Sequence, residues 1–263
     1  MQRVLFYWYE EKEVILFPLF SFLFLERLSY KLENLLSYME KISAGSYDLN
    51  VFLHVGYESE VISVIYGPSG AGKTNLCLLV AVSQAKKGNN VLFIDTEGGF
   101  SVERIQQLAG GDASALLPHI FVLQPTSFGE QQQAFQQLGR YLKQGVSVVI
   151  VDGMTILYRL ESAGLPEEQL RKANRQLASH MRQLAEIARK RHIPVIVTNQ
   201  VYRWEDTTKM VGGDVLQYWS KCHLELIREN GTRRILLRKH RSLPEKELVF
   251  DIVELGIKKK GLF

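Results

Sequence analysis

The sequence is short of cysteine, of long apolar runs and of net charge. Only Cys77 and Cys222 are present, one in a predicted helix and one in a predicted strand, and neither stands in a metal-ligand spacing. We expect two reduced, buried thiols in a cytoplasmic protein rather than a disulfide. The longest apolar stretch, Val14–Leu25, has twelve residues and is interrupted by Pro18. That is too short to cross a bilayer. Glu10, Glu11 and Glu13 precede it where a signal peptide would carry basic residues. The net charge of +4 is mild, so an acidic partner is permitted but not demanded. There is no internal repeat and no linker.

What is present is ordinary globular material. The 263 residues are 46% hydrophobic and 23% charged, enough for one good-sized α/β core. Residues 1–38 differ in character from the rest. They read as an extension outside the natural protein, with Met39 as its start and 39–263 as the folded core. A docking segment and an interfacial anchor are the other readings.

The chain is organised around Gly67, Pro68, Ser69, Gly70, Ala71, Gly72, Lys73 and Thr74. The apolar run Ile62–Tyr66 leads in and a helical pattern leads out. Strand, glycine loop and helix together form the context of a phosphate-binding P-loop. Glycines let the backbone N–H groups turn inward, and the following helix presents its positive end. Lys73 is expected on the β- and γ-phosphates of ATP and Thr74 on Mg²⁺.

Beyond the loop, Val91–Asp95, Ile120–Leu123, Ser147–Asp152 and Pro194–Gln200 read as short apolar strands buried on both faces. Helical patterns separate them, with Ser101 as an N-cap and a long amphipathic helix over Leu170–Ala188. Alternation of this kind predicts βαβ units, a parallel sheet, and a ligand edge at the carboxyl ends of the strands. Lys221–Arg238 then reads as a hairpin about an Asn-Gly turn, and Glu247–Val253 as a further strand. These are expected as antiparallel strands appended to the sheet.

Three strand-end residues share the expected ligand edge. Asp152 stands at the Walker B position, where a carboxylate orients Mg²⁺. Glu97 is placed to polarise a water for attack on the γ-phosphate, with Lys73 beside it. Gln200 is placed to sense that phosphate through its amide. Basic residues with aromatics nearby suit single-stranded nucleic acid. Arg159, Arg171, Lys172 and Arg175 lie in or near one candidate loop; Arg203 and Lys209, with Tyr202 and Trp204, lie in another. Arg238, Lys239 and Arg241 belong to a third basic run that starts at Arg228.

Ile94–Arg104, with Asp95-Thr96-Glu97-Gly98, resembles the Asp-Thr-Glu-Gly segment of the RecA/RadA recombinase family. Val149–Arg159 resembles that family's Walker B strand and the approach to its DNA-binding loop 1. Val197–Val201 and Gly212-Gly213 resemble the two ends of loop 2. Gly45–Leu53 resembles the opening motif, and Leu243-Pro244-Glu245 matches a motif near the family's C-terminus. The resemblance spans about residues 40–257 and implies a RecA-like P-loop NTPase: a central, mostly parallel sheet flanked by helices, with antiparallel C-terminal strands. It implies a catalytic Glu97, an Mg²⁺-assisting Asp152, an adenine-stacking Arg104, and a Gln200 that couples nucleotide to loop 2.

The fit is to a short archaeal branch with no room for a helix-hairpin-helix domain. That branch implies a weak DNA-related ATPase, an accessory factor in recombination and repair. Its expected partners are single-stranded or branched DNA, the recombinase RadA and the Holliday junction resolvase Hjc, with no membrane; self-association stays open. A filament-forming strand-exchange recombinase is the alternative. Against it stand Asn50 and Val55 in the opening motif, Gly153 where a serine is common, the lack of a Phe-x-x-Ala docking peptide, and a short loop 2 over Tyr202–Gly213.

Overall fold

A computed structural model describes residues 41–204 and 207–261, with side chains at all of these but 203–209. The expected extension over 1–38 lies outside the described residues. The core opens with a two-stranded ladder of β1 (Lys41–Ile42) and β2 (Tyr57–Glu58), bracketing helix α1 (Tyr47–Phe52). Next come β3 (Ile62–Gly67), the glycine loop, and α2 (Lys73–Ala85). The βα alternation continues with β4 (Asn90–Asp95), α3 (Val102–Ala109), β5 (Ile120–Leu123), α4 (Phe128–Leu142) and β6 (Val146–Asp152). The expected cap is present: the Ser101 hydroxyl accepts the Arg104 N–H at 3.1 Å. After β6 come α5 (Ile156–Ser162), the long α6 (Glu167–Arg191) and β7 (Val195–Trp204).

Much of the described part of the stretch expected as a loop from Tyr202 to Gly213 is strand. β7 runs on to Trp204, β8 (Thr207–Met210) pairs back on it, and α7 (Gly213–Trp219) follows. Val201, Tyr202, Trp204, Thr207 and Thr208 are β-branched or aromatic, which suits a pleated ladder. The chain ends in β9 (Cys222–Glu229), β10 (Thr232–Lys239), β11 (Lys246–Val253) and β12 (Gly256–Lys259). Asn230 and Gly231 both have positive φ, 49° and 75°, as a two-residue hairpin turn requires.

The main sheet runs β12-β11-β10-β9-β3-β7-β6-β4-β5. From β9 to β5 neighbours are parallel; from β9 to β12 they are antiparallel. Side chains of the central strands alternate between two buried layers. Ile65, Phe93, Ile150 and Ile196 face α2, whereas Val64, Ile94, Val151 and Val197 face α4 and α6. Both thiols are free and buried. Among the described residues no helix is long and apolar enough to cross a membrane. The P-loop, Asp95, Asp152 and Gln200 all emerge at the carboxyl edge of the sheet.

Candidate functional site

The P-loop joins β3 to α2 and is walled by the C-terminal strands. A Cβ on Gly67 would stand 2.3 Å from the Leu226 carbonyl oxygen of β9, and one on Gly72 would stand 2.9 Å from Ile252 Cδ1 of β11. Only glycine allows this approach. Lys73 reaches back into the loop, where its Nζ donates to the carbonyls of Gly67 (3.0 Å) and Pro68 (2.9 Å). Burial lowers its pKa, while Glu97 and Asp152 pull it back up. Those charges therefore favour the ammonium form that a phosphate needs.

Asp152 is buried at the end of β6. Its Oδ1 accepts the Thr198 hydroxyl at 2.7 Å, and its Oδ2 has no hydrogen-bond partner among the described residues. A Cβ on Gly99 would lie 3.2 Å from Thr74 Oγ1 and 3.5 Å from Asp152 Oδ2. Hydroxyl and carboxylate therefore border one small space. Burial pushes the Asp152 carboxyl upward, against the hydroxyls of Thr198 and Thr74, which both pull it down. A hard divalent cation would reverse that push, and an orphaned carboxylate oxygen beside a hydroxyl is a donor set that Mg²⁺ takes.

Glu97 is solvent-exposed on the turn after β4. The turn is held from below by Asp95, whose two oxygens accept the N–H groups of Gly99 and Phe100, both at 3.0 Å. Gln200 pairs in register with Gly67 across β3 and β7, and its Nε2 donates to Glu97 Oε1 at 3.2 Å. The P-loop, Glu97, Asp152 and Gln200 are thus brought together.

Gly153 is closely enclosed. Its φ is +93°, and a Cβ there would stand 2.4 Å from Thr96 Oγ1 and 2.7 Å from Glu97 Cγ. Thr96 donates to the Gly153 carbonyl at 2.6 Å. Arg104 extends from α3, where its guanidinium donates to Asn75 Oδ1 (2.9 Å), Val253 O (2.8 Å) and Glu254 O (3.0 Å). It ties the helix after the P-loop to the β11–β12 turn.

The basic residues divide between two regions. Arg159, Arg171, Lys172 and Arg175 are exposed on α5 and the first turns of α6, close after Asp152. Among the described residues, the one ion pair that engages any of them is a weak exposed one, Arg171 with Glu167 at 3.4 Å. A cavity of about 700 Å³ opens nearby, lined by Tyr66, Asn174, Tyr202, Met210, Asp214 and Gln217 among others. The side chains of Arg203, Trp204 and Lys209 lie outside the described residues.

The third basic run is engaged within the fold. Arg238 donates to Glu225 at 2.6 Å, Lys239 to the carbonyls of Gln217 and Ser220 at 3.1 Å, and Arg241 to buried Glu58 at 2.6 Å. Lys239 pairs with His223, which in turn pairs with Val64, so this run ends well short of the P-loop edge. Arg228 lies elsewhere: its Nη1 would stand 2.8 Å from a Cβ on Gly70, on the crown of the loop. Sequence reasoning placed Arg228 only in a charge run, because nothing local marks its approach to the loop. It also passed over Thr198, whose contact with Asp152 appears only once β6 and β7 are in register.

A parallel sheet with a P-loop, a Walker B acid and a strand-end glutamine is a RecA-type nucleotide-binding core. Comparison with known families agrees: the Rad51 family model matches residues 36–260, and the chain belongs to that family. It is similar to the DNA repair and recombination protein RadB of several archaea. Identity to that of Methanococcus maripaludis is 37% over 210 residues, which is 80% of this chain and 96% of the relative. Identity to the Methanobrevibacter smithii protein of that name is 38% over 213 residues, 77% and 89% of the two chains. Identity to the Methanocaldococcus jannaschii protein is 36% over 200 residues, 76% and 93% of the two.

Proposed function

We propose that the protein binds ATP with Mg²⁺, hydrolyses it slowly, and uses the bound nucleotide to set its hold on single-stranded or branched DNA. It acts as a cytoplasmic accessory factor in homologous recombination and repair, with RadA and Hjc as partners. The observation that carries this reading is the Gln200–Glu97 hydrogen bond. It joins the group that would activate water to the strand that continues into the β7–β8 hairpin.

In this reading the P-loop amides and Lys73 hold the phosphates, Arg104 flanks the adenine, and Thr74 and Asp152 face Mg²⁺. The metal would supply charge neutralisation at the β- and γ-phosphates. Glu97 takes a proton from the attacking water. Arg159, Arg171, Lys172 and Arg175 neutralise DNA phosphates beside a cavity lined by tyrosines. Glu97→Gln tests the core of it. ATP binding is expected to persist while turnover falls by about 10²-fold, the usual worth of a general base. Unchanged turnover would remove Glu97 from the mechanism, and absence of ATP binding by the unaltered protein would remove the reading itself.

A further inference from the structure

Midway along β7 stand three consecutive polar side chains, Thr198, Asn199 and Gln200, and the first two are fully buried. Strand alternation sends them to different places. Asn199 goes to one face, where its Nδ2 donates to the Val211 carbonyl at 2.8 Å and its Oδ1 accepts the Thr155 hydroxyl. Gln200 goes to the nucleotide face and Glu97. Thr198 goes to that same face, and its destination is Asp152.

The Thr198 hydroxyl has one proton to give. Its oxygen accepts the Gly153 N–H at 2.7 Å, and it donates to Asp152 Oδ1 at 2.7 Å. The incoming N–H leaves the proton one direction, so donor and acceptor roles are fixed at both ends. Asp152 Oδ1 is tied down. Oδ2, buried and without a hydrogen-bond partner among the described residues, is held toward the space bordered by Thr74 Oγ1. A carboxylate free to turn would present either oxygen, or neither, to a cation.

We infer that Thr198 is a positioning residue for the metal-facing carboxylate: it holds Asp152 so that Oδ2 meets Mg²⁺ in the nucleotide complex. The inference rests on the ATP·Mg²⁺ reading above. It also means that the strand leading into the β7–β8 hairpin reaches the nucleotide site twice, through Gln200 at the water activator and through Thr198 at the metal.

The test is a Mg²⁺ titration of the full chain with a fluorescent ATP analogue, read as binding rather than turnover. Thr198→Val keeps the shape and removes the hydroxyl. The half-saturating Mg²⁺ concentration is expected to rise about tenfold, the low end for loss of a group that orients a ligand. At saturating Mg²⁺ the analogue is expected to bind as in the unaltered protein, and Thr198→Ser should restore the original requirement. Thr198→Ala also removes the hydroxyl and should shift the requirement in the same direction should the valine variant fail to fold. Asp152→Asn combined with Thr198→Val should add no further shift. A folded Thr198→Val or Thr198→Ala protein with an unshifted Mg²⁺ requirement overturns the inference alone. If the unaltered protein binds the analogue without Mg²⁺ dependence, both the inference and the function beneath it fall.

Discussion

Gly153 offers the sharpest test of how the site is built. Gly153→Ala adds a single carbon at φ +93°, a region that costs an L-residue about 1–2 kcal/mol. That carbon would also stand 2.4 Å from Thr96 Oγ1 and 2.7 Å from Glu97 Cγ. Forced overpacking of this kind costs about 1–3 kcal/mol more. Gly88→Ala separates the two effects: Gly88 also has positive φ (+75°), but nothing lies within 4 Å of its Cβ position. Gly88→Ala should therefore lose only the backbone part, about 1 kcal/mol. Gly153→Ala should lose about 2–5 kcal/mol in total. Urea unfolding at constant m-value reads both, and for a chain of this size each kcal/mol also lowers Tm by roughly 2–4 °C. A second signature follows from Thr96 and Glu97 being the groups pushed: ATP turnover should fall in Gly153→Ala and stay intact in Gly88→Ala. Equal stability losses in the two variants would refute the close contact.

Charge and pH give further tests. Lys172→Ala and Arg175→Ala should each weaken DNA binding and lower the slope of log affinity against log salt by about 0.7–0.9. Lys239→Ala should leave DNA affinity unchanged and cost about 1–2 kcal/mol of stability, because the Gln217 and Ser220 carbonyls lose their donor; the opposite pattern would move the DNA to the other end of the sheet. Burial holds His180 and His223 down at about pKa 4. Unfolding lets them take protons near 6.5, so the stability they contribute is complete above pH 6.5 and is lost as pH falls towards 4. Each accounts for about 3 kcal/mol at most. Replacing His180 by Gln should flatten part of that slope in urea melts run from pH 7 to 4; a flat curve for the unaltered protein would refute the cause given.

Much of this architecture was legible because the signals are local. The apolar runs at Val91–Asp95 and Ser147–Asp152 are strands for the reason that made them readable: both faces are buried, so every position is apolar. That the P-loop, Glu97, Asp152 and Gln200 share one edge was legible because each stands at or just past the end of such a run. The β7–β8 hairpin was not, since its polar and basic residues mask a strand pattern in Val201, Tyr202 and Trp204. The internal partners of the basic run were hidden for a different reason. Arg238 and Arg241 find their carboxylates 13 and 183 residues away, a distance that no reading of a charge run can close. Thr198 likewise is a plain strand residue until register places it against Asp152.

The wall behind the P-loop has a consequence for synthesis. The loop itself is finished by Thr74, yet its backing comes from Leu226 and Ile252, and Arg104 is fastened to the carbonyls of Val253 and Glu254. A ribosome therefore releases the motif more than 150 residues before it releases the pieces that make the motif a pocket. Until the last hairpin docks, the growing chain carries a nucleotide signature without a nucleotide site. On the function proposed above, ATP would meet the finished molecule, and its binding would mark the end of folding rather than aid its beginning.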